Sequence, residues 1–147
     1  MPALFHFSHR VSPDDIDELG HASNIAYVKW MQAAALAHSA EQGWPAEAYQ
    51  ALGAGWVVRS HHIEYRQPAY AGDEIVIRTW VAGMQKVTSL RRYEIIRPQD
   101  DTVLVEAATD WAFIHYATGV PKRIPVEISQ SFQIYDGSGA GADPLSG

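Results

Sequence analysis

From Asn24 to Gln42 neither glycine nor proline interrupts the chain, and Ala, Leu, Met, Gln and Lys predominate. These residue types favour helix, Ser23 or Asn24 supplies the N-cap, and Gly43 followed by Trp44-Pro45 supplies the stop. Roughly 19 residues at about 1.5 Å each give a helix of about 28 Å, enough to cross a small domain. Its polar positions (Lys29, Gln32, Ser39 and Gln42) are few and lie near one stripe, while Ile25, Tyr27, Val28, Trp30, Met31, Leu36 and a run of alanines fill the rest. A helix that is apolar on most sides is expected to be wrapped by other structure. The remainder of the chain must supply that wrapping.

It reads as strand. Trp56–Arg66, Glu74–Gly83, Lys86–Arg97 and Val103–Tyr116 are rich in Val, Ile, Thr, Trp and Tyr, with Gly, Pro and Asp between them. Connections this short imply antiparallel neighbours, because a parallel crossover needs a dozen residues or more. In the fourth run Val103, Val105, Ala107, Trp111 and Phe113 share one face, with Glu106 and Asp110 on the other. Ala3–Val11 reads as a weak first strand, Pro45–Leu52 as a short helix, and Ile124–Ile134 as a last short strand or edge segment. The expected fold is α+β: a long central helix wrapped by a five-stranded antiparallel sheet, whose opposite face stays partly apolar and points to a dimer. Residues 136–147 are mostly Gly, Ser, Ala and Asp and are expected to be a disordered tail, so the domain is 1–135.

Composition excludes several functions. The chain has 147 residues, enough for one sizeable core, and no cysteine, so disulfides and thiolate metal sites are ruled out. A net charge of −6 with no basic cluster larger than a pair argues against nucleic acid or an anionic membrane as partner. No apolar run is long enough for a signal peptide or a bilayer span, and a cytoplasmic location is expected. Seven histidines invite a metal reading. Yet His61 and His62 are adjacent on a strand and point to opposite faces, no pair sits at i, i+4 on a helix, and no metal is expected. There is no Gly-x-Ser-x-Gly elbow, and Gly137–Gly141 opens no helix.

The most informative stretch runs Asp15-Ile16-Asp17-Glu18-Leu19-Gly20-His21-Ala22-Ser23-Asn24-Ile25-Ala26-Tyr27. It sets carboxylates just before the N-terminus of the one long helix. On one reading Asp15 and Asp17 build a turn and complement the helix dipole, with Gly20 supplying an unusual backbone angle. On the other, unpaired N–H groups at the helix start polarise a carbonyl while a carboxylate attacks it or activates water.

The pattern Asp-x-Asp-x-x-Gly-His-x-x-Asn-x-x-Tyr, followed by Trp30, resembles the hotdog-fold thioesterases of the 4-hydroxybenzoyl-CoA thioesterase type. So do the strand–helix–four-strand layout over residues 3–135 and the closing Gly119-x-Pro121-x-Arg123-Ile124-Pro125. The resemblance implies hydrolysis of an acyl-CoA or acyl-carrier-protein thioester by a homodimer or homotetramer, with sites at subunit junctions and no metal or organic cofactor. It makes Asp17 the catalytic carboxylate and the N–H groups near Ser23 and Asn24 the binders of the thioester oxygen. His21, Asn24, Gly20 and Tyr27 match motif positions that shape the site, and Lys86 and Arg123 become binders of CoA phosphates. The chain departs from the family in having Ser23 where many members have Asn, and Gln32 and Ala35 where they carry Glu and Arg. A second branch of hotdog thioesterases uses an acid within the long helix, but Asn24 to Ala40 holds none. Arg91 and Arg92 read as a solvated strand edge; Trp44, Trp56 and Tyr65 are candidates for an acyl pocket. Two rival functions share the fold: a dehydratase or hydratase using an Asp/His pair, and a non-catalytic acyl-binding module.

Overall fold

The chain, in a computed structural model whose described residues are 4–135, opens with strand β1 (Phe5–Arg10) and a 3-10 turn over Pro13–Asp15. Helix α1 (Asn24–Glu41) follows, then the short α2 (Ala46–Leu52). Four long strands come next: β2 (Ala54–Tyr65), β3 (Glu74–Met84), β4 (Thr88–Arg97) and β5 (Thr102–His115). A one-turn helix, α3 (Val126–Ser129), lies near the end. The expected tail, 136–147, lies outside the described residues.

All five strands form one antiparallel sheet in the order β1-β3-β4-β5-β2. Helix α1 lies across one face of it. Ala26, Tyr27, Trp30, Met31, Ala34, Ala35 and His38 recur at spacings of three and four, so they share a stripe, and all are buried. All but His38 meet Ile75 and Ile77 of β3, Tyr93 and Ile95 of β4, and Leu104 and Val105 of β5 in the main core. A second cluster at the other end of the sheet joins Tyr49 of α2 to Val81, Phe113, Ile124, Ile128 and Phe132.

Four expectations need correction. The helix is covered by the sheet on one side only: Ile25 and Leu36 are 69% and 61% exposed, on a stripe with Lys29 and Gln32. Consecutive strands pair from β3 to β5, but β2 does not pair with β3. It lies at the far edge beside β5, and the segment from Arg66 to Asp73 crosses three strand spacings, roughly 14 Å, within the reach of an extended chain of that length. The loop is fastened on the way by Arg66 N–H to Leu104 O (2.8 Å) and by Ala22 N–H to Ala69 O (2.9 Å). Ile124–Ile134 is not a strand; it holds α3 and touches the sheet through a single bridge from Ile134 to Val81. Within β5, Leu104 rather than Val103 is fully buried. The register slips there between Ile95↔Val105 and Ile96↔Val103, and that bulge turns an extra residue into the core. Among the described residues no helix is long and apolar enough to cross a membrane.

Candidate functional site

The segment before α1 folds back on itself. Asp17 N–H donates to His21 O (2.8 Å), Gly20 N–H to Asp17 O (3.1 Å), and Ile16 bridges Ala22 antiparallel. Gly20 closes this turn at φ +82°, a left-handed angle that favours glycine, in open space. Both acidic residues work locally, and they work differently. Asp15 accepts from Ser12 N–H (2.9 Å) and sits 3.3 Å from His9 Nε2, so it caps the 3-10 turn. Asp17 directs only Oδ1 into the turn, accepting from Leu19 N–H (2.9 Å) and distantly from His21 N–H (3.4 Å). Its Oδ2 accepts no hydrogen bond among the described residues, and the side chain is exposed.

Ser23 caps the helix, its Oγ accepting from Ala26 N–H (3.2 Å). Its own N–H is already donated to Asp15 O (2.8 Å). The unpaired donors therefore begin one residue later than expected, at Asn24 and Ile25, both exposed. His21, three residues before Asn24, holds its ring edge-on to Tyr70 (5.4 Å between centroids). Tyr27, expected to touch substrate, is instead a core residue at 3% exposure. Its hydroxyl accepts from Ala69 N–H (3.1 Å), and burial pushes the phenol pKa up. The turn that carries Asp17 and His21 thus leads directly into the start of α1, where the Asn24 and Ile25 amides have no backbone partner among the described residues.

Lys86 and Arg123 are at the other end. Ile124 N–H donates to Lys86 O (2.8 Å), which brings the β3–β4 turn against the segment carrying Arg123, and both side chains are exposed. Asp17 lies by the start of β3, since Val11 N–H donates to Asp73 O (2.9 Å), whereas Lys86 follows its end. The length of β3 separates them, roughly 33 Å at about 3.3 Å per residue. One protomer does not bring its carboxylate and its cations together.

The cationic end also holds a cleft of roughly 700 Å³, counting its open mouth, between the C-terminal half of α1, α2 and the sheet. Trp56, Val81, Met84, Trp111 and Phe132 make it mostly apolar. Of the three aromatics expected in an acyl pocket, only Trp56 lines it. Trp44 packs on Tyr49 and donates to Ser131 Oγ (3.0 Å), and Tyr65 meets Tyr27 edge-on at the opposite end. In the cleft wall a polar relay is complete: Trp56 Nε1 donates to Tyr49 Oη (3.1 Å), Tyr49 and Ser39 hydroxyls meet at 2.8 Å, and Ser39 donates to Trp44 O (2.7 Å).

Arg91, expected on a solvated edge, is 6% exposed and lines this cleft. Its Nη1 donates to His38 Nδ1 (3.0 Å) and to Thr79 Oγ1 (3.0 Å). Burial and the neighbouring Arg91 charge lower the His38 pKa to about 4, so the ring is neutral and accepts. Arg91 was missed because a pair of arginines was read as one surface feature. Adjacent strand residues point to opposite faces, and that rule alone placed one of the two inside. Among the described residues no group of three or more His, Asp or Glu side chains is arranged to hold a metal.

The sequence profile of the thioesterase-like superfamily matches residues 11–132. No protein of curated function matches the sequence. The fold is similar to a 1,4-dihydroxy-2-naphthoyl-CoA thioesterase from Synechocystis: TM-score 0.81 at 16% identity, covering 87% of this chain and 94% of that one. It is also similar to a gentisyl-coenzyme A thioesterase: TM-score 0.79 at 19% identity, over 87% and 99% of the two chains. A Staphylococcus aureus protein solved in complex with CoA gives a TM-score of 0.81 at 15% identity, over 87% and 80%.

Proposed function

The chain belongs to the thioesterase-like superfamily, and from that premise we propose that it hydrolyses an acyl-CoA thioester at a site shared between two copies. The observation that carries the chemistry is that Asp17 Oδ2 accepts no hydrogen bond among the described residues, in the turn that leads into the unpaired amides at the start of α1. The thioester oxygen accepts from those amides, where the helix dipole stabilises the negative charge that develops in the transition state. Asp17 Oδ2 attacks the carbonyl carbon to give a mixed anhydride that water then hydrolyses, or it takes a proton from a water that attacks directly. The C–S bond breaks, CoA leaves as its thiol, and the acyl group leaves as a carboxylic acid. His21 and the Asn24 side chain border the reacting centre, while Gly20 gives the turn its angle.

Two copies are needed because one protomer separates the parts. Among the described residues β2 is a 12-residue edge strand paired on one side, a template that a folded protein covers. Its Tyr65 end lies by Tyr27 and the start of α1, and its Trp56 end lies by the cleft. Pairing two β2 edges antiparallel about a two-fold axis sets each Tyr65 end against the other Trp56 end. The Asp17 of one copy then faces the cleft, Lys86 and Arg123 of the other. The acyl chain lies in the cleft, and the CoA phosphates meet the two cations, which a chain of net charge −6 must provide locally.

Thiol release from a panel of acyl-CoAs, aromatic and aliphatic, tests the reaction. Asp17→Asn keeps the shape and should lower kcat by roughly 10² to 10⁴ without unfolding the protein. Acyl-CoA binding with no release of thiol by the wild-type protein would reject the reading.

A further inference from the structure

The cleft contains a cation, Arg91, that no carboxylate neutralises among the described residues. Arg91 is buried in the cleft wall and contacts His38 and Thr79, both neutral, with the phenols of Tyr49 and Tyr93 close enough to act on its charge. No carboxylate pairs with it among the described residues, and α1, which lies over it, carries none between Asn24 and Ala40. A guanidinium does not shed its proton to escape burial, because its pKa lies too far above neutrality. An unpaired charge in an apolar wall opposes folding, and an apolar side chain of the same length would serve the core better. Arg91 is therefore suited to an anion that arrives with the ligand.

Resting on the thioesterase reading above, we propose that the cleft takes acyl chains whose far end carries a carboxylate, and that Arg91 holds it. The cleft walls set the rest of the ligand's chemistry. Trp56, Met84, Trp111 and Phe132 require an apolar stem between the reacting carbonyl and the terminal charge. The planar fork of Arg91 suits a carboxylate, and the charged hydrogen bonds form against a mostly apolar wall. A methyl-ended chain of equal length would fill the same space and leave the guanidinium unpaired. The discrimination is thus a penalty against the apolar chain as much as a gain for the acidic one.

Non-hydrolysable CoA thioethers bearing an alkyl or an ω-carboxyalkyl group, matched across a ladder of chain lengths, separate binding from turnover. Calorimetry on the wild-type protein should find at least one length at which the carboxylate form binds tenfold tighter or more. In Arg91→Met that preference should vanish or invert, while the melting temperature holds or rises because the buried charge is gone. Arg91→Lys, which keeps a charge without the fork, should retain part of the preference. Equal or tighter binding of the alkyl form at every length would overturn the assignment, as would a preference that survives in Arg91→Met. Hydrolysis is read separately with the matching thioesters. A carboxylate preference without thiol release retains Arg91 and rejects the hydrolase reading, and thiol release without the preference does the reverse.

Discussion

Removing one oxygen from Tyr27 distinguishes a scaffold residue from a substrate-binding one. Its hydroxyl is the acceptor for the Ala69 amide (3.1 Å), and Ala69 is itself fully buried while its carbonyl holds Ala22 N–H (2.9 Å). Tyr27→Phe keeps the ring against Trp30 and Tyr65 and leaves a buried amide without a partner. An orphaned buried donor costs about 1–3 kcal/mol. For a domain of this size each kcal/mol lowers the melting point by about 3 °C, so a drop of roughly 3–9 °C is expected. Differential scanning calorimetry at fixed protein concentration measures it, fixed because association changes apparent stability. KM should stay within a few-fold, since the phenol faces the Arg66–Asp73 loop rather than the exposed amides of α1. A wild-type melting point combined with a KM raised tenfold would refute this reasoning and return Tyr27 to the substrate.

Two further outcomes follow from the same geometry. Asp15→Asn keeps an acceptor for Ser12 N–H, so it should cost no more than about 1 kcal/mol in urea and change kcat only a few-fold, in contrast to Asp17→Asn. His38 holds its proton less tightly folded (about 4) than unfolded (6.5), so the unfolded chain binds more protons below pH 6.5. Its contribution to stability should be whole above that pH and be lost as pH falls toward 4, with about 2 kcal/mol gone by pH 5. Urea midpoints compared between pH 7 and pH 5 should show this loss in the wild type and a smaller one in His38→Gln; equal losses would remove His38 as the cause.

What could be read from the residues was local. The absence of Gly and Pro from Asn24 to Gln42 marked α1 to within a residue, and β-branched and aromatic runs marked the four long strands. Pairing was less visible. The loop from Arg66 to Asp73 is short enough for a hairpin, and only the tertiary ties at Ala69 and Leu104 make it a crossover. The exposure of Ile25 and Leu36 depends on how far one sheet reaches around a helix, which composition does not encode. The motif brought Asp17, Gly20, His21 and Asn24 to one place because they are neighbours in the chain. Lys86 and Arg123 were read as belonging to the same site, and the length of β3 that separates them from Asp17 shows only in the fold. Arg91 lay within reach of strand alternation, but its lack of a counter-charge among the described residues is a fact about His38, Thr79 and α1 together.

The shared site is tested most directly by mixing two disabled proteins. Asp17→Asn lacks the carboxylate, and the double variant Lys86→Ala/Arg123→Ala lacks the cations; the latter should raise KM and leave kcat nearly unchanged. Each is assayed alone below its KM, then the two are mixed equally, dissociated and reassociated. If a site takes Asp17 from one copy and the cations from the other, each mixed dimer regains one site with both parts intact. Half the dimers are mixed by chance, so activity should recover to about a quarter of the wild-type value. A mixture no more active than the mean of its two parents would place carboxylate and cations in separate functions and contradict the account.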